Sequence, residues 1–482
     1  MTFTNTLSIA TSGLNAATAR ASVAASNIAN ANTEGYTRRT VSLEERIVGS
    51  SGAGVRIVGT NSVEVQFLTA DRMRLAAENA YTSEKATGTE RITQLIGDPG
   101  VENGLFRSYA RFETALKDAA ATPESPVLLR QAVDSAQDLA NTFNELSARA
   151  DQERTNADRR IAESVGSINT ALQRLEDLNA VPQGEITPEI TDERQRLVDQ
   201  INEEIPVTVR RREGGIDLIT DGGVFLLRES ASFVEFSATG SVGRSQTLGA
   251  PLSGLVADGI DITPGGSSPQ QTTGGRIAAL FEQRDTIVPG FQDQLDALAS
   301  DVINRFADDT VDPTKPVGET GLFVNGASTA PPAVNEIGVA ANIRINAAVD
   351  PAQGGENYRL RDGLGATVEG PEGAGAQLNR LVDAFVGGRT APAILGVAGE
   401  RSAAELAAEV ASSISFDDRN AADAALFAAN RFDIARDAEL QAVGVDTDVE
   451  LQDLLIIEQA YAANARVIQT VSEMIDTLLS IG

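Results

Sequence analysis

The chain has 482 residues, with 39 Lys and Arg against 68 Asp and Glu for a formal net charge of −29, and it has no Cys, His or Trp. Thiolate and imidazole metal sites, Ser-His-Asp and Cys-His catalysis, and disulfides are all excluded on that ground. The acidic balance argues against nucleic acid and anionic membranes as partners, and no apolar run reaches the ~20 residues of a bilayer span.

The opening MTFTNTLSIA has no basic stretch ahead of a continuous apolar one, so it does not read as a secretory signal. Either a cytoplasmic protein or export without a cleaved signal fits. Residues 1–33 carry one charge, Arg20. Their apolar positions Phe3, Leu7, Ala10, Leu14, Ala17, Ala21, Ala24, Ile28 and Ala31 are spaced alternately by four and three, a heptad seam of mostly alanine knobs. Alanine permits close approach but buries little area, so this helix alone is weak. The word SNIANANTEGYTRR (26–39) follows. It predicts a helix stop at Asn32-Thr33 and a turn at Gly35, presenting Tyr36, Arg38 and Arg39, residue types favoured at interfaces.

Residues 63–120 read as helical, with Leu105, Tyr109, Phe112 and Leu116 on one face, until Pro123 and Pro126 break the chain. A very long helix follows, with the stripe Ala136, Leu139, Phe143, Leu146, Ala150 continued by Ile161, Val165, Ile168, Leu172 and Leu175. Between the two halves, DQERTNADRR (151–160) is charged on all sides and reads as a solvated stretch. Residues 205–237 change to period two, with Gly214-Gly215 and Gly222-Gly223 as hairpin turns. Residues 238–275 read as loop with short strands. Helix returns near 276, and Pro289-Gly290 is expected to kink or interrupt it. Residues 311–400 hold 7 of the 17 prolines and 15 of the 43 glycines, which marks a β-rich insertion with one short helix near 376–386. Residues 401–443 return to Ala-rich helix, and Gly444 ends it.

The last segment repeats the heptad with larger knobs: Leu454, Ile457, Tyr461, Asn464, Ile468, Val471, Ile475 and Leu478. Asn464 is the polar position, a device that fixes register. Asp446 or Thr447 caps this helix, with Glu450 closing a capping box on Thr447. Charge favours pairing of the ends: residues 1–60 carry five basic and three acidic groups (+2), and residues 445–482 carry one basic and seven acidic groups (−6).

The two terminal words resemble those of the axial proteins of the bacterial flagellum, the rod, hook and junction proteins. Ser26, Asn27, Ile28, Ala29, Asn30, Thr33, Gly35 and Tyr36 match the first word. Glu450, Leu451, Leu454, Gln459, Ala460, Tyr461, Ala463, Asn464, Ala465, Val467, Ile468, Thr470, Glu473, Met474, Thr477, Leu478 and Leu479 match the second. Tyr36-Thr37-Arg38-Arg39 and the segment GGRIAALFEQRDTIVPGFQDQLDALASDVINRF (274–306) are similar to words of the hook-associated protein 1 family, the first of the hook–filament junction proteins. At Ile456-Ile457-Glu458 the chain departs from the commoner polar-aromatic run.

The resulting expectation is a mainly α fold with β insertions in a nested layout. Residues 1–60 and 440–482 form paired terminal coiled-coil helices. Residues 61–310 and 401–439 form a long-helix bundle with a small β element at about 205–262. Residues 311–400 form a small β-rich outer domain. The resemblance implies a secreted structural protein at the hook–filament junction that forms a ring with copies of itself. It also implies contact with hook protein, with a second junction protein next to the filament, and with an export chaperone at the C-terminal helix. The expected assembly residues are Leu7, Leu14, Asn27, Ile28, Asn30, Gly35, Tyr36, Arg38, Leu454, Ile457, Tyr461, Asn464, Ile468, Val471, Ile475 and Leu478. No enzyme, cofactor or metal signal stands out. Gly363-x-Gly365 and EGPEGAGA (369–376) lack the strand and helix of a dinucleotide loop, DTDVE (446–450) lacks the rest of an EF-hand, and Asp308-Asp309 reads as a helix end. Alternative readings are a hook or rod subunit, a secreted carboxylate-based peptidoglycan hydrolase, and a coiled-coil effector or translocator of a related secretion system.

Overall fold

A computed structural model describes residues 3–33, 35–48, 51–97 and 104–481. Its helices are α1 (Phe3–Ala29), α2 (Gln66–Ile96), α3 (Leu105–Ala121), α4 (Pro126–Asn179), α5 (Pro188–Glu204), α6 (Gly275–Glu282), α7 (Val288–Ala307), α8 (Val339–Asn342), α9 (Tyr358–Asp362), α10 (Ala376–Val386), α11 (Ala403–Val443) and α12 (Thr447–Ile481). The strands are β1 (Arg39–Val48), β2 (Ser51–Ser62), β3 (Val207–Arg212), β4 (Gly215–Thr220) and β5 (Phe225–Leu227), then the two-residue β6 to β10 between Val234 and Asp261, β11 (Phe323–Asn325), β12 (Ile343–Ile345), β13 (Arg389–Thr390) and β14 (Glu400–Arg401). The fold is mainly α with small β insertions. Two units divide the chain. The first comprises Met1–Asn79, Ser167–Val234 and Ala428–Gly482; the second comprises Ala80–Gly166 and Glu235–Phe427.

In the first unit α1 and α12 pack as an antiparallel pair, with Gly13 opposite Asn464 and Ala17 and Ala21 beside residues 451–461. The region after α1 is not helical. Residues 39–62 form the antiparallel hairpin β1–β2, with Leu43 paired to Ile57 and Glu45 to Val55. The hairpin packs on α1 through Gly54, whose φ is +100° and where a Cβ would fall 2.1 Å from Ser12 Oγ. That same Oγ accepts from the Val55 N–H at 3.1 Å. The expectation of helices alone over 1–60 missed this hairpin, although Val41, Leu43, Val55 and Ile57 carry an alternating pattern. The period-two region folds as read, in strand order β3-β4-β5, with Gly214 and Gly223 at positive φ in the turns.

In the second unit Tyr109, Phe112, Phe143, Phe306, Phe323 and Phe385 are buried, and Phe112 lies 4.9 Å from Phe385 and 5.6 Å from Phe323 between ring centroids. The 311–400 segment contributes Phe323, Ile345, Leu360, Leu378 and Phe385 to the same core as α3, α4 and α7. Its regular structure is two two-stranded ribbons, three short α-helices and two single-turn 3-10 helices, with α10 falling on the predicted 376–386. Proline and positive-φ glycine interrupt backbone ladders, and so the composition shift marked irregular chain more than sheet.

α4 runs unbroken for 54 residues. Its charged stretch is solvated on one side only: Gln152 and Arg159 are exposed, but Asp158 and Ala157 are buried, and so is Arg154, whose guanidinium donates to the carbonyls of Arg284 (2.8 Å), Gly243 (2.8 Å) and Gln246 (2.7 Å). Arg284 is itself fully buried, donates to Asp158 at 2.6 Å and Asp285 at 2.8 Å, and lies over the Phe281 ring. Charges enter a core when each is paired and hydrogen-bonded. At the Pro289 site the helix is not broken. A π turn at Gln283–Ile287 precedes α7, whose first turn holds the proline. The wider turn accommodates the missing N–H and the ring.

Candidate functional site

The residues singled out at both ends meet in the first unit. α12 begins after Gly444, and Asp446 Oδ1 caps it by accepting from the N–H groups of Asp448 (2.9 Å) and Val449 (3.2 Å). The expected Thr447–Glu450 capping box does not form. Glu450 is buried and accepts from Arg38 Nε at 2.6 Å, while Arg38 Nη2 reaches Asp453 at 3.3 Å. A guanidinium fork on two carboxylates is stronger than a backbone cap.

The SNIANANTEGYTRR word is a joint. Asn27 is 1% exposed; its Oδ1 accepts from the Arg39 N–H at 3.0 Å and from the Tyr36 hydroxyl at 2.9 Å, and its Nδ2 donates to the Arg39 carbonyl at 3.0 Å. One side chain thus pairs both backbone groups of a strand residue, as a neighbouring strand does. Asn30 closes the helix end on Ser26 O (2.9 Å) and accepts from Thr33, and Gly35 takes φ +78° in the turn. The Arg39 guanidinium lies 4.5 Å from the Tyr36 ring centroid and pairs with Asp192 at 3.1 Å and with Glu189. Thr37 donates to Asp192 at 3.0 Å. Burial pushes the Asp192 carboxyl above its ordinary value, outweighing the pull of Arg39 and Thr37. Glu189, hydrogen-bonded by Thr187 and its own N–H and attracted by Arg39, is held below its ordinary value. The Arg38 backbone donates to Val443 O at 2.9 Å and accepts from Val63 N at 2.7 Å. Ends of α1, β1, β2, α5, α11 and α12 therefore meet within a few residues.

Along the seam, Ala10, Ala17, Ala24, Ile457 and Val471 are buried. Leu7, Leu14, Ile28, Leu454, Asn464, Ile468 and Ile475 are half-buried, and Tyr461 and Leu478 stay 47% and 57% exposed. Ala17 and Ala21 are too small to fill the space opposite Tyr461. A furrow of about 640 Å³ remains, walled by these alanines and by Leu451, Leu454, Ile457 and Tyr461. Asn464 donates within its own helix, to Ala460 O at 3.0 Å. It sets register by shape instead, because a Cβ at Gly13 would lie 2.8 Å from its amide. Gly13 was missed in the sequence reading; a glycine inside an otherwise alanine-rich helix was the signal.

The other motifs are structural. Leu364 N donates to Asp312 at 2.8 Å and Gly365 N to Thr314 Oγ1 at 3.0 Å, which occupies the N–H groups of the Gly363-x-Gly365 turn. Asp308 accepts from Thr310, and Asp309 pairs with Lys315 at 2.6 Å. Among the described residues no three acidic side chains gather to hold a metal ion, and no helix is long and apolar enough to cross a membrane.

Comparison with known proteins gives matches at both ends and in the middle. Residues 89–310 match the model of the flagellar hook-associated protein FlgK helical domain, residues 438–481 that of the flagellar basal body rod FlgEFG protein C-terminal region, and residues 7–37 that of the flagella basal body rod protein. Flagellar hook-associated protein 1 of Salmonella typhimurium is 25% identical over 244 residues, covering 48% of this chain and 44% of the relative. That of Bacillus subtilis is 26% identical over 227 residues, covering 43% and 44%. The flagellar hook junction protein FlgK from Burkholderia pseudomallei superposes with a TM-score of 0.44 at 20% identity, over 55% of this chain and 47% of that one. The chain thus spans less than half the length of the curated relatives it matches. The end models, the middle model and the two curated relatives agree, and by them the chain is similar to the flagellar hook-associated protein 1 family.

Proposed function

We propose that the chain is a structural subunit of the bacterial flagellum that assembles outside the cell at the hook–filament junction and adapts hook to filament. The rod-type ends are common to axial subunits; the matched middle at 89–310 separates this reading from a hook or rod subunit. The observation that carries it is the set of large apolar side chains that α12 leaves in solvent. Leu451 and Leu455 at the α1–α12 furrow, Ile456, and Met474, Leu478 and Leu479 toward the far end of the helix are between 49% and 75% exposed. Large apolar side chains exposed together along one helix mark an interface. Neighbouring copies in a ring would cover it, with hook protein on one side and a second junction protein on the other. An export chaperone would shield the same face of α12 beforehand. The role is structural, not catalytic. The seam residues from Leu7 to Ile28 and Leu454 to Ile475 hold the pair that presents this surface.

The test adds the purified chain to isolated hook ends and inspects them by electron microscopy. A cap of fixed subunit number is expected. Hook ends that stay bare, with the chain monodisperse in solution, would overturn the reading.

A further inference from the structure

We propose that Arg38, Asn27 and Tyr36 act inside the subunit and not between subunits: they form a joint that fixes the position of α12 through Arg38. The inference rests on the assembly reading for its purpose, but its geometry stands alone.

Three observations carry it. First, the groups are used up internally. Asn27 is buried, and its amide engages both backbone groups of Arg39 and the Tyr36 hydroxyl. Tyr36 in turn carries the Arg39 guanidinium over its ring. Little of this word is left for a neighbour. Second, Arg38 is tied through both backbone and side chain. Its N–H meets the last residue of α11, Val443, and its carbonyl meets Val63 just beyond β2. Its guanidinium spans Glu450 and Asp453, three residues apart in the first turns of α12. Glu450 is 3% exposed, so removal of Arg38 leaves a buried carboxylate without its partner, which is the costly kind of loss. Third, the seam cannot do this work by itself. The buried apolar α1 positions are alanines, the furrow is unfilled, and so small an area resists a slide by a heptad only weakly. Arg38 fixes the start of α12, and Gly13 against Asn464 checks the register three to four turns further on.

The order of events follows. The base of α12, residues 450–461, is held by the joint in the free subunit, while the half beyond Asn464 depends on neighbours. In the assembled ring, the joint then presents the apolar face of α12 at one fixed angle.

The experiment is amide hydrogen exchange on the dilute full chain, wild type against Arg38→Ala and Arg38→Lys, with hook-end capping measured in parallel. Residues 450–461 are expected to be protected in the wild type and to exchange about tenfold faster in Arg38→Ala, the size expected from loss of a charge-assisted fork. Arg38→Lys, which keeps the charge and loses the fork, should lie between. The β3–β4 amides (207–220) and the α3 and α7 amides should not move, which separates a loosened joint from general unfolding. Three results would overturn the proposal: no protection at 450–461 in the wild type, equal exchange in Arg38→Ala, or acceleration spread equally over 207–220. Arg38→Ala that abolishes capping with exchange unchanged would make Arg38 an intersubunit contact. Bare hook ends in the wild type, with the expected exchange pattern, would sink the assembly reading and leave the joint standing.

Discussion

The second unit and the terminal pair of the first use helices in opposite ways. In the second unit, six aromatic rings and the Leu, Ile and Val of α3, α4, α7, α10 and α11 are buried together. In the α1–α12 pair the buried α1 side chains are mostly alanine, and the large residues of α12 face outward. At ~25 cal/mol per Å² of apolar surface removed from water, the first arrangement stands without help and the second does not. A helix pair that leaves its largest apolar side chains in solvent is what the proposed assembly would use as half of an interface. The same composition, rich in Ala, Val, Leu and Ile, serves both, and the difference lies in which side chains meet.

Four experiments break or sharpen that contrast. Phe112→Ala empties the centre of the aromatic cluster and should cost the second unit about 3–5 kcal/mol in chemical denaturation. A loss below 1 kcal/mol would mean that the cluster is not the keystone of that core. Leu454→Asp with Ile468→Asp places two charges in the seam and should abolish hook-end capping while leaving the unfolding of the second unit unchanged; normal caps would refute the seam. Gly13→Val presses a branched side chain on Asn464 and should lower the stability of the terminal pair by about 1–3 kcal/mol, as overpacking does. Asn464→Ala should recover part of that loss, and absence of any coupling between the two would refute register by shape.

The smallest effect is a pH slope. Burial pushes the Asp301 carboxyl above its ordinary value, against the pull of Arg305. A carboxyl raised in the folded state contributes stability below its unfolded pKa, and that contribution is lost as pH rises through the folded pKa. Asp301→Asn should remove that part of the slope in denaturation curves taken between about pH 4 and pH 7. An unchanged slope would place the titration elsewhere.

Much of the fold was legible because it is local. The heptad seams, the helix at 376–386, the Gly214 and Gly223 turns and the stop at Gly444 each follow from spacing and backbone preference, which a sequence states directly. The hairpin at 39–62 was hidden by the helical pattern before it, although its alternation was present. The candidate site was legible in its residues but not in their roles. Asn27, Tyr36 and Arg38 were visible as unusual words, yet their partners lie elsewhere in the chain, Glu450 and Asp453 more than 400 residues away for Arg38.

What the sequence determined by itself was the period and composition of each helix, the turns, the absence of thiol and imidazole chemistry, and the opposite charge of the two ends. Only the tertiary structure decided which charges are buried and which apolar residues are left out. Arg154 and Asp158 read as solvated until the chain brought them to Arg284, and Glu450 read as a cap until Arg38 reached it. The reason is physical: a backbone preference acts over three or four residues, whereas the cost of burying a charge is set by a partner that only folding can supply.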